Sequence, residues 1–545
     1  MKKFLAILLV LASVLGLCAC GSKDDGGKKS ADGKITFSIG IPTSAKIMDL
    51  NNNDLTNWVE EQCNCEIKFV EYAGGTDVAT QISTTVAARQ ELPDILFGIP
   101  LTDDAIATYG RDGYFVDLTP YYEDREGASK TFWTRIEENL TAEEQETVIR
   151  KITDADSGKI YTVPTIETSM IDKRYYQPWI NQTWLDKLGM DMPNSPETLY
   201  DFLVAVKNND VNGNGDTTDE IPLYGAENIA MSGQVVKWLI NMFTYYNPGY
   251  KWQPDENGQL VMTQITDGYR EGLKFAHKLY EEGLLSNMIY TTGKNEMKGI
   301  TTPNSGIAMC GIFCAHLTSH TTMGNEVMYE YAPMPLWGCA VEADTSVAKK
   351  VFISTDCAYP DEAFDLLMTL FSWDGSMRIR YGAYGPNWTD ADEGSKSDMG
   401  LDAEYKLISD PFTQQSTANW GVIAGCFNHY AEGETAQMAE NLDEWTKKKS
   451  QMHAESYRLF EEAQANNPEN LAPLIVNTTE ENEAIEMVRT NINALISKAE
   501  ADFVTGIDPN RDINSDASWQ AYLNEINEMG YDEYQKTVQA AYDRQ

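Results

Sequence analysis

The sequence predicts an α/β fold with two lobes, and two observations support this prediction. The first is length: 545 residues is about twice the size at which a single hydrophobic core stops growing. The second is an alternation of strand-like and helix-like segments along most of the chain, which is typical of a mainly parallel sheet with helices on both faces. Ligands of such sheets bind beyond the carboxyl ends of the strands.

The alternation rests on hydrophobic periodicity. Apolar and polar residues alternate over 34–41 as they do in a strand, and Leu55, Trp58 and Val59 follow at the spacing of a helix face. The predicted strands are 34–41, 66–71, 92–98, 160–164 and 175–181, and the predicted helices are 54–62, 78–89, 184–188 and 195–207. The stretch 432–465 is predicted to be largely helical, and the last 60 residues or so are predicted to form helices broken at 506–512 and Gly530.

The repetition of this pattern predicts a domain organisation in which the chain crosses between the lobes more than once. Residues 34–160 are expected to form mainly lobe 1, and 161–350 mainly lobe 2. The return crossing and C-terminal helices that pack on both lobes are expected over 351–545.

The N-terminus is predicted to be a targeting segment that is not part of the fold. Lys2 and Lys3 precede an apolar run that ends at Leu17, which is typical of a secretory signal over residues 1–20. The run Leu17–Gly21 is similar to the lipobox of bacterial lipoproteins, which implies that the Cys20 thiol receives a diacylglyceryl group. The Gly-, Ser- and Lys-rich stretch 21–33 then acts as a flexible tether. We therefore expect an extracytoplasmic protein held at the membrane by lipid.

Charge excludes one class of partner. The chain has 42 Lys and Arg against 83 Asp and Glu, a formal net charge of −41. A surface this acidic repels a phosphate backbone, so nucleic acid is not expected to bind.

Several segments, taken in order, resemble the extracellular solute-binding lipoproteins of bacterial ABC sugar importers, of the family 1 type. The segments are Leu92–Leu96, Tyr109–Leu118, Gly158–Pro164, Trp179–Gly189, Tyr359–Phe364 and Phe503–Gly506. This resemblance implies the periplasmic binding protein type II fold, in which two α/β lobes joined by hinge strands close on a ligand. It also implies a monomer without catalytic residues that delivers an oligosaccharide to membrane permease subunits. Tyr384 departs from the family pattern, which often has Glu there.

A loop rich in oxygen side chains predicts a structural calcium site. Calcium prefers about 6 to 8 oxygen ligands, and a run of the form Asp-x-Asn-x-Asn-Gly places three side-chain oxygens in one loop. The predicted ligands are Asp210, Asn212, Asn214, Asp216, Asp219 and Glu220. The loop differs from an EF-hand because its final Glu comes one position early and a strand-like segment follows. The alternative is an Asx-rich turn that binds no metal.

The predicted ligand residues combine polar groups at strand ends with aromatic rings, because sugar receptors stack rings on the apolar faces of their ligands. The chain contains 12 Trp and 28 Tyr. The predicted contacts are Ser44, Gly98, Glu167, Trp238, Tyr246, Phe313, Trp337 and Trp388. Each aromatic residue in this set has the alternative of being an ordinary core side chain.

Two other functions share these features. A secreted glycan-active enzyme is also acidic and aromatic-rich, but the chain has no Gly-x-Ser-x-Gly elbow, only five His and no His-Glu-x-x-His. Paired catalytic carboxylates can be neither identified nor excluded among so many acidic residues. A receptor for peptides, or one linked to a sensor protein, has the same fold and pairs charged residues with the ends of its ligand.

Overall fold

The structure is a computed structural model that describes residues 29–30, 32–74, 77–168, 176–229, 233–246, 251–322, 324–335, 346–409, 415–428, 432–466 and 475–544. The predicted signal segment, the lipidation residue Cys20 and the predicted ligand residue Trp337 lie outside these residues.

The larger sheet has six strands in the order β14-β4-β11-β3-β1-β2. They are β1 (Ile35–Pro42), β2 (Cys65–Tyr72), β3 (Ile95–Phe97), β4 (Val163–Glu167), β11 (Ser346–Ile353) and β14 (Phe427–Asn428). β11 pairs antiparallel with both β3 and β4, whereas β1 is parallel to β2 and β3, and β14 is parallel to β4. The five other strands therefore all end at the same edge of this sheet, which defines lobe 1.

The second sheet has four strands in the order β10-β5-β9-β6 and defines lobe 2. They are β5 (Pro178–Asn181), β6 (Ile221–Tyr224), β9 (Cys310–Cys314) and β10 (Tyr331–Pro333). β6 is parallel to β9, and β5 is antiparallel to both β9 and β10. Two small sheets complete the described strands: β7 (Trp252–Pro254) with β8 (Leu260–Met262), and β12 (Trp388–Asp390), β13 (Tyr405–Leu407) and β15 (Ala436–Met438).

Helices cover both sheets. The helices before β5 are α1 (Asp54–Cys63), α2 (Asp77–Ala87), α3 (Asp103–Arg111), α4 (Thr119–Glu123), α5 (Lys130–Asn139) and α6 (Ala142–Ile152). Those between β5 and β11 are α7 (Gln182–Leu188), α8 (Pro196–Lys207), α9 (Val235–Asn241), α10 (Asp267–Glu281), α11 (Lys294–Thr301) and α12 (Leu317–His320). The rest are α13 (Pro360–Phe371), α14 (Trp373–Tyr381), α15 (Glu432–Thr435), α16 (Glu444–Asn466), α17 (Thr479–Thr505), α18 (Asp516–Glu528) and α19 (Tyr531–Asp543).

Local sequence signals explain where many of these elements begin and end. The side chain of Asn53 accepts a hydrogen bond from Leu55 N–H at the start of α1, as an N-cap does. Gly506, with φ of 66°, ends α17 in the left-handed conformation that glycine adopts without strain. The predicted helix breaks near Gly506 and Gly530 are thus confirmed. The prediction of a largely helical stretch over 432–465 is confirmed by Glu432–Thr435 and Glu444–Asn466, and the short strand Ala436–Met438, which pairs with β13, is the exception.

The long helix α17 contacts both lobes. Its apolar face packs into the core of lobe 2 through Ile485, Ile492 and Phe503. At its start, Thr479 N–H donates to the carboxylate of Asp156 at 3.1 Å, and Arg111 in turn binds Asp156 at 2.6 Å. Both of these partners belong to the lobe 1 part of the chain. No described helix is long and apolar enough to cross a membrane.

The chain passes between the two lobes three times: after β4, after β10 and, after β15, at α16, whose Trp445 and Met452 lie in the core of lobe 2. The predicted α/β fold with two lobes is confirmed by these two sheets, each with its own hydrophobic core. The residue boundaries of the predicted domains stay a prediction. The crossings determine which strand ends lie next to the space between the lobes.

Candidate ligand cleft

Three of the predicted ligand residues lie at one edge of lobe 1. Ser44 follows β1, Gly98 follows β3 and Glu167 ends β4. Since these strands are parallel, their carboxyl ends meet at the edge where ligands of α/β sheets bind. The structure therefore brings these residues to a common edge, and ligand contact by each of them stays a prediction.

Gly98 is held close to a neighbouring segment. Its φ is 76°, and a Cβ atom at this position would lie 2.3 Å from Cγ1 of Val422. Gly421 makes a similar approach, because a Cβ there would lie 2.9 Å from Oγ of Ser44. The segment 421–422 thus closes over the ends of β1 and β3.

A small cavity of about 180 Å³ opens beside Ser44. Its polar lining comes from Ser44, Asp49, Asn51 and Glu71, and Trp420 contributes to its wall. Trp420 is 1% exposed and lies edge-on to Phe97, with ring centroids 5.1 Å apart. Its indole N–H donates to Oγ1 of Thr56 at 2.9 Å. Trp420 is not among the predicted ligand residues. The sequence around a single Trp in a loop-rich segment does not indicate that its ring packs at this strand edge.

The other predicted aromatic residues lie in hydrophobic cores. Trp238, Tyr246 and Phe313 belong to the core of lobe 2 and are 2%, 4% and 0% exposed. Trp388 is 2% exposed and packs in a smaller cluster around β12 and β13, where its N–H donates to the Gly382 carbonyl at 2.9 Å. In this conformation none of these four rings presents a face to solvent, so their contact with a ligand stays a prediction.

A buried ion network lies next to the corresponding edge of lobe 2. Glu227 follows β6, and its carboxylate lies 2.6 Å from the ammonium of Lys237 in α9, which lies 2.6 Å from the carboxylate of Glu500 in α17. Glu227 also accepts the Val236 N–H at 2.7 Å, and Tyr269 donates to Glu500 at 3.2 Å. Glu500 is 263 residues away from Lys237 in the sequence, which is why the pairing of these two residues could not be predicted.

The pKa values in this network follow from burial and charge. Burial raises the pKa of Glu227, and Lys237 only partly offsets this effect. Burial alone lowers the pKa of Lys237, but the two carboxylates together raise it well above its ordinary value. The network therefore holds Lys237 as a cation and joins α17 to the loop that follows β6.

The predicted calcium loop lies between α8 and β6 and wraps around its own side chains. The carboxylate of Asp210 accepts the N–H groups of Gly213 at 2.7 Å and Gly215 at 2.9 Å. The side-chain amides of Asn212 and Asn214 donate to Asp219 at 3.1 and 2.6 Å. Within the described residues no group of three or more His, Cys, Asp or Glu side chains is arranged to hold a metal ion.

One buried oxygen atom of this loop supports the presence of a bound cation. Oε2 of Glu220 is buried and has no hydrogen-bond partner among the described residues, and burial raises the pKa of this carboxyl. A buried carboxylate oxygen without a partner is costly, and a bound cation is one way to satisfy it. The donor set of carboxylate and amide oxygens is of the type that calcium prefers.

Gly98→Ala is expected to destabilise the protein by about 1 to 3 kcal/mol, because the added Cβ meets Val422 and the left-handed φ is strained for alanine. Urea unfolding measures the effect. The double variant Gly98→Ala, Val422→Ala removes the clash but not the strain, so we expect partial recovery relative to Val422→Ala alone. An equal loss in both backgrounds would contradict the predicted clash.

The two α/β lobes, the threefold crossing and the shared strand edge define the fold of the extracellular solute-binding proteins. A solute-binding protein associated with an ABC transporter from Bifidobacterium longum infantis, described as binding HMO, has a TM-score of 0.73 at 20% identity, covering 94% of this chain and 99% of that one. FusA from S. pneumoniae, an ABC-transporter substrate-binding protein in complex with kestose, has a TM-score of 0.68 at 20% identity, covering 93% and 99%. These likenesses confirm the predicted fold.

Sequence comparison also finds similarity to an ABC transporter substrate-binding protein and to a lipoprotein. The fructooligosaccharide ABC transporter substrate-binding protein FusA of Streptococcus pneumoniae is 27% identical over 296 residues, which is 51% of this chain and 52% of that protein. Lipoprotein LipO of Bacillus subtilis is 27% identical over 175 residues, 32% of this chain and 30% of LipO. The match thus spans about half the length of the first relative. No protein-family model matches the chain. The predicted resemblance to ABC solute-binding proteins is confirmed.

Proposed function

We propose that this protein is an extracytoplasmic solute-binding protein, anchored through lipid at Cys20, that captures an oligosaccharide and delivers it to the permease of an ABC importer. The observation that carries the proposal is the meeting of Ser44, Gly98 and Glu167 at one strand edge of a two-lobed fold that the chain crosses three times. The names of FusA and of the HMO-binding protein support a glycan as the ligand.

The proposed mechanism is hinge closure. An open form exchanges with a closed form, and a ligand that contacts both lobes stabilises the closed one. The closed, monomeric protein then docks on the permease. The chain's own residues bind and orient the glycan in this scheme, and none of them performs a reaction.

Thermal unfolding of the chain from residue 21 onwards tests the ligand. The probes are kestose, nystose, lacto-N-tetraose, an anionic mannuronate trimer and a peptide mixture. A ligand that binds only the folded state stabilises it by about 2.7 kcal/mol at a free concentration of 100 times its Kd. We expect a neutral oligosaccharide to raise the midpoint and to be recovered uncleaved. Cleavage of the sugar favours the enzyme alternative, and a shift with peptides alone favours the peptide receptor.

Structural calcium is part of the proposal. Asp210, Asn212, Asn214, Asp216, Asp219 and Glu220 would hold the ion, which would neutralise the charge of the loop between α8 and β6. The buried Oε2 of Glu220, which has no hydrogen-bond partner among the described residues, supports this site. A FusA structure described as an EF-hand mutant in complex with fructo-nystose offers parallel support from a relative.

The variant Glu220→Gln distinguishes the hypothesis of a calcium-binding loop from that of a turn that binds no metal. Because burial disfavours the charged form of Glu220, the variant is expected to be as stable as the wild type or more stable when calcium is chelated. With calcium in about 1,000-fold excess over its Kd, the wild type gains about 4 kcal/mol and becomes the more stable of the two. Thermal unfolding in EGTA and in calcium measures both. A variant that keeps the same rank in both conditions would show that the loop binds no calcium.

A further inference from the structure

Two buried amide side chains lie where the chain leaves lobe 1 and enters lobe 2. Asn428 is the last residue of β14, and its carbonyl accepts the N–H of Thr168, directly after β4, at 3.1 Å. Gln177 precedes β5, and its carbonyl accepts the N–H of Ala315, directly after β9, at 3.0 Å. Each residue therefore lies at the edge where the parallel strands of its lobe end, next to the first crossing.

Both side chains carry an oxygen that accepts no hydrogen bond from the described residues. Gln177 and Asn428 are 2% and 4% exposed. Neither Oε1 of Gln177 nor Oδ1 of Asn428 has a hydrogen-bond partner in the part of the chain that the structure describes. The large majority of buried side-chain polar atoms in folded proteins are paired, and leaving one unpaired costs about 1 to 3 kcal/mol.

The positions of these two oxygens suit them to accept hydrogen bonds from a ligand. An amide oxygen only accepts hydrogen bonds, so its partner must be a donor such as a hydroxyl group. Glu167 lies opposite Asn428 in the register of β4 and β14, which adds a carboxylate beside this acceptor. A ligand carboxylate placed here would meet acceptors and a like charge, which is unfavourable.

Resting on the proposed function, we infer that Gln177 and Asn428 form the polar floor of the ligand cleft, one from each lobe. Each accepts a hydrogen bond from a hydroxyl of a neutral oligosaccharide. The same two acceptors, with Glu167, exclude acidic glycans such as uronate oligomers. Specificity of this kind arises because the correct ligand satisfies buried polar groups that a wrong ligand leaves unpaired.

Near-isosteric apolar replacements test this inference, because they remove the unpaired oxygen without removing volume. In Gln177→Met and Asn428→Leu, we expect the thermal midpoint of the free protein to stay the same or rise. Calorimetric titration is expected to show affinity for the tightest neutral probe among kestose, nystose and lacto-N-tetraose falling about 10-fold or more in each variant. The mannuronate trimer is expected to bind the wild type at least about 10-fold more weakly than that neutral probe.

Thr263→Val is the matched control. Oγ1 of Thr263 is also buried and unpartnered within the described residues, but it lies inside lobe 2, between β8 and α10, and we expect its replacement to leave affinity unchanged. Unchanged affinity in both amide variants, with the wild type binding normally, overturns the inference and leaves the proposed function standing. A loss of stability without a loss of affinity does the same. If the wild type binds none of the oligosaccharides, the proposed function fails and the inference falls with it.

Discussion

Lys237→Met is expected to destabilise the folded protein by about 3 to 5 kcal/mol, the cost of breaking a buried ion network by removing one partner. The side chains of Glu227 and Glu500 are each 4% exposed, and Lys237 lies 2.6 Å from both. Without the ammonium group, two carboxylates remain buried close together and both lose the cation that lies 2.6 Å from them, although Lys251 still interacts with Glu500. Urea unfolding at pH 8 measures the loss.

The pH dependence of this variant checks the cause. An acid whose pKa is raised in the folded state takes stability away as pH rises above its unfolded pKa, about 4.3 for Glu. Removing Lys237 takes away the charge that lowers the pKa of Glu227, so this pKa rises further and the deficit relative to wild type should be smaller at pH 5 than at pH 8. Lys274→Met is the control, because Lys274 pairs with Glu271 at the surface and should change stability by less than about 1 kcal/mol. A deficit independent of pH would assign the loss to packing.

Trp420→Ala is expected to cost about 3 to 5 kcal/mol, because a large buried aromatic side chain leaves a cavity that its neighbours fill only in part. The ring lies between Phe69 and Phe97, with centroids 5.5 and 5.1 Å away, and its N–H binds Thr56. Trp420 also lines the cavity beside Ser44, so the proposed function predicts that the variant loses oligosaccharide affinity as well.

Trp420→Phe separates the two contributions of this residue. It keeps most of the aromatic packing and loses the hydrogen bond to Thr56, so we expect it to cost less than half as much as Trp420→Ala. Denaturant unfolding and calorimetric titration of both variants provide the measurements. Stability of Trp420→Ala within about 1 kcal/mol of the wild type would mean that this ring does not hold the edge of lobe 1 together.

Much of the local structure could be predicted from the sequence. Alternation over 34–41 and the helical spacing of Leu55 and Val59 predicted β1 and α1. The glycine at 506 and the turn at Gly530 predicted the helix breaks near the C-terminus. These signals are local, because periodicity, caps and turns depend on residues a few positions apart. The strand ends at Ser44, Gly98 and Glu167 could be found for the same reason.

The identity of the buried and cleft-facing side chains was decided by tertiary structure. Trp238 and Phe313 follow the same sequence pattern as a cleft aromatic, yet they pack in the core of lobe 2. The pairing of Lys237 with Glu500, and the placement of Gln177 and Asn428 at the crossing, depend on strands and helices distant in sequence. The sequence by itself determined many of the elements and their order, although not β15, which forms only by pairing with β13. Only the folded chain decided which polar groups are buried and whether they are paired, because burial depends on contacts between elements and not on spacing within one.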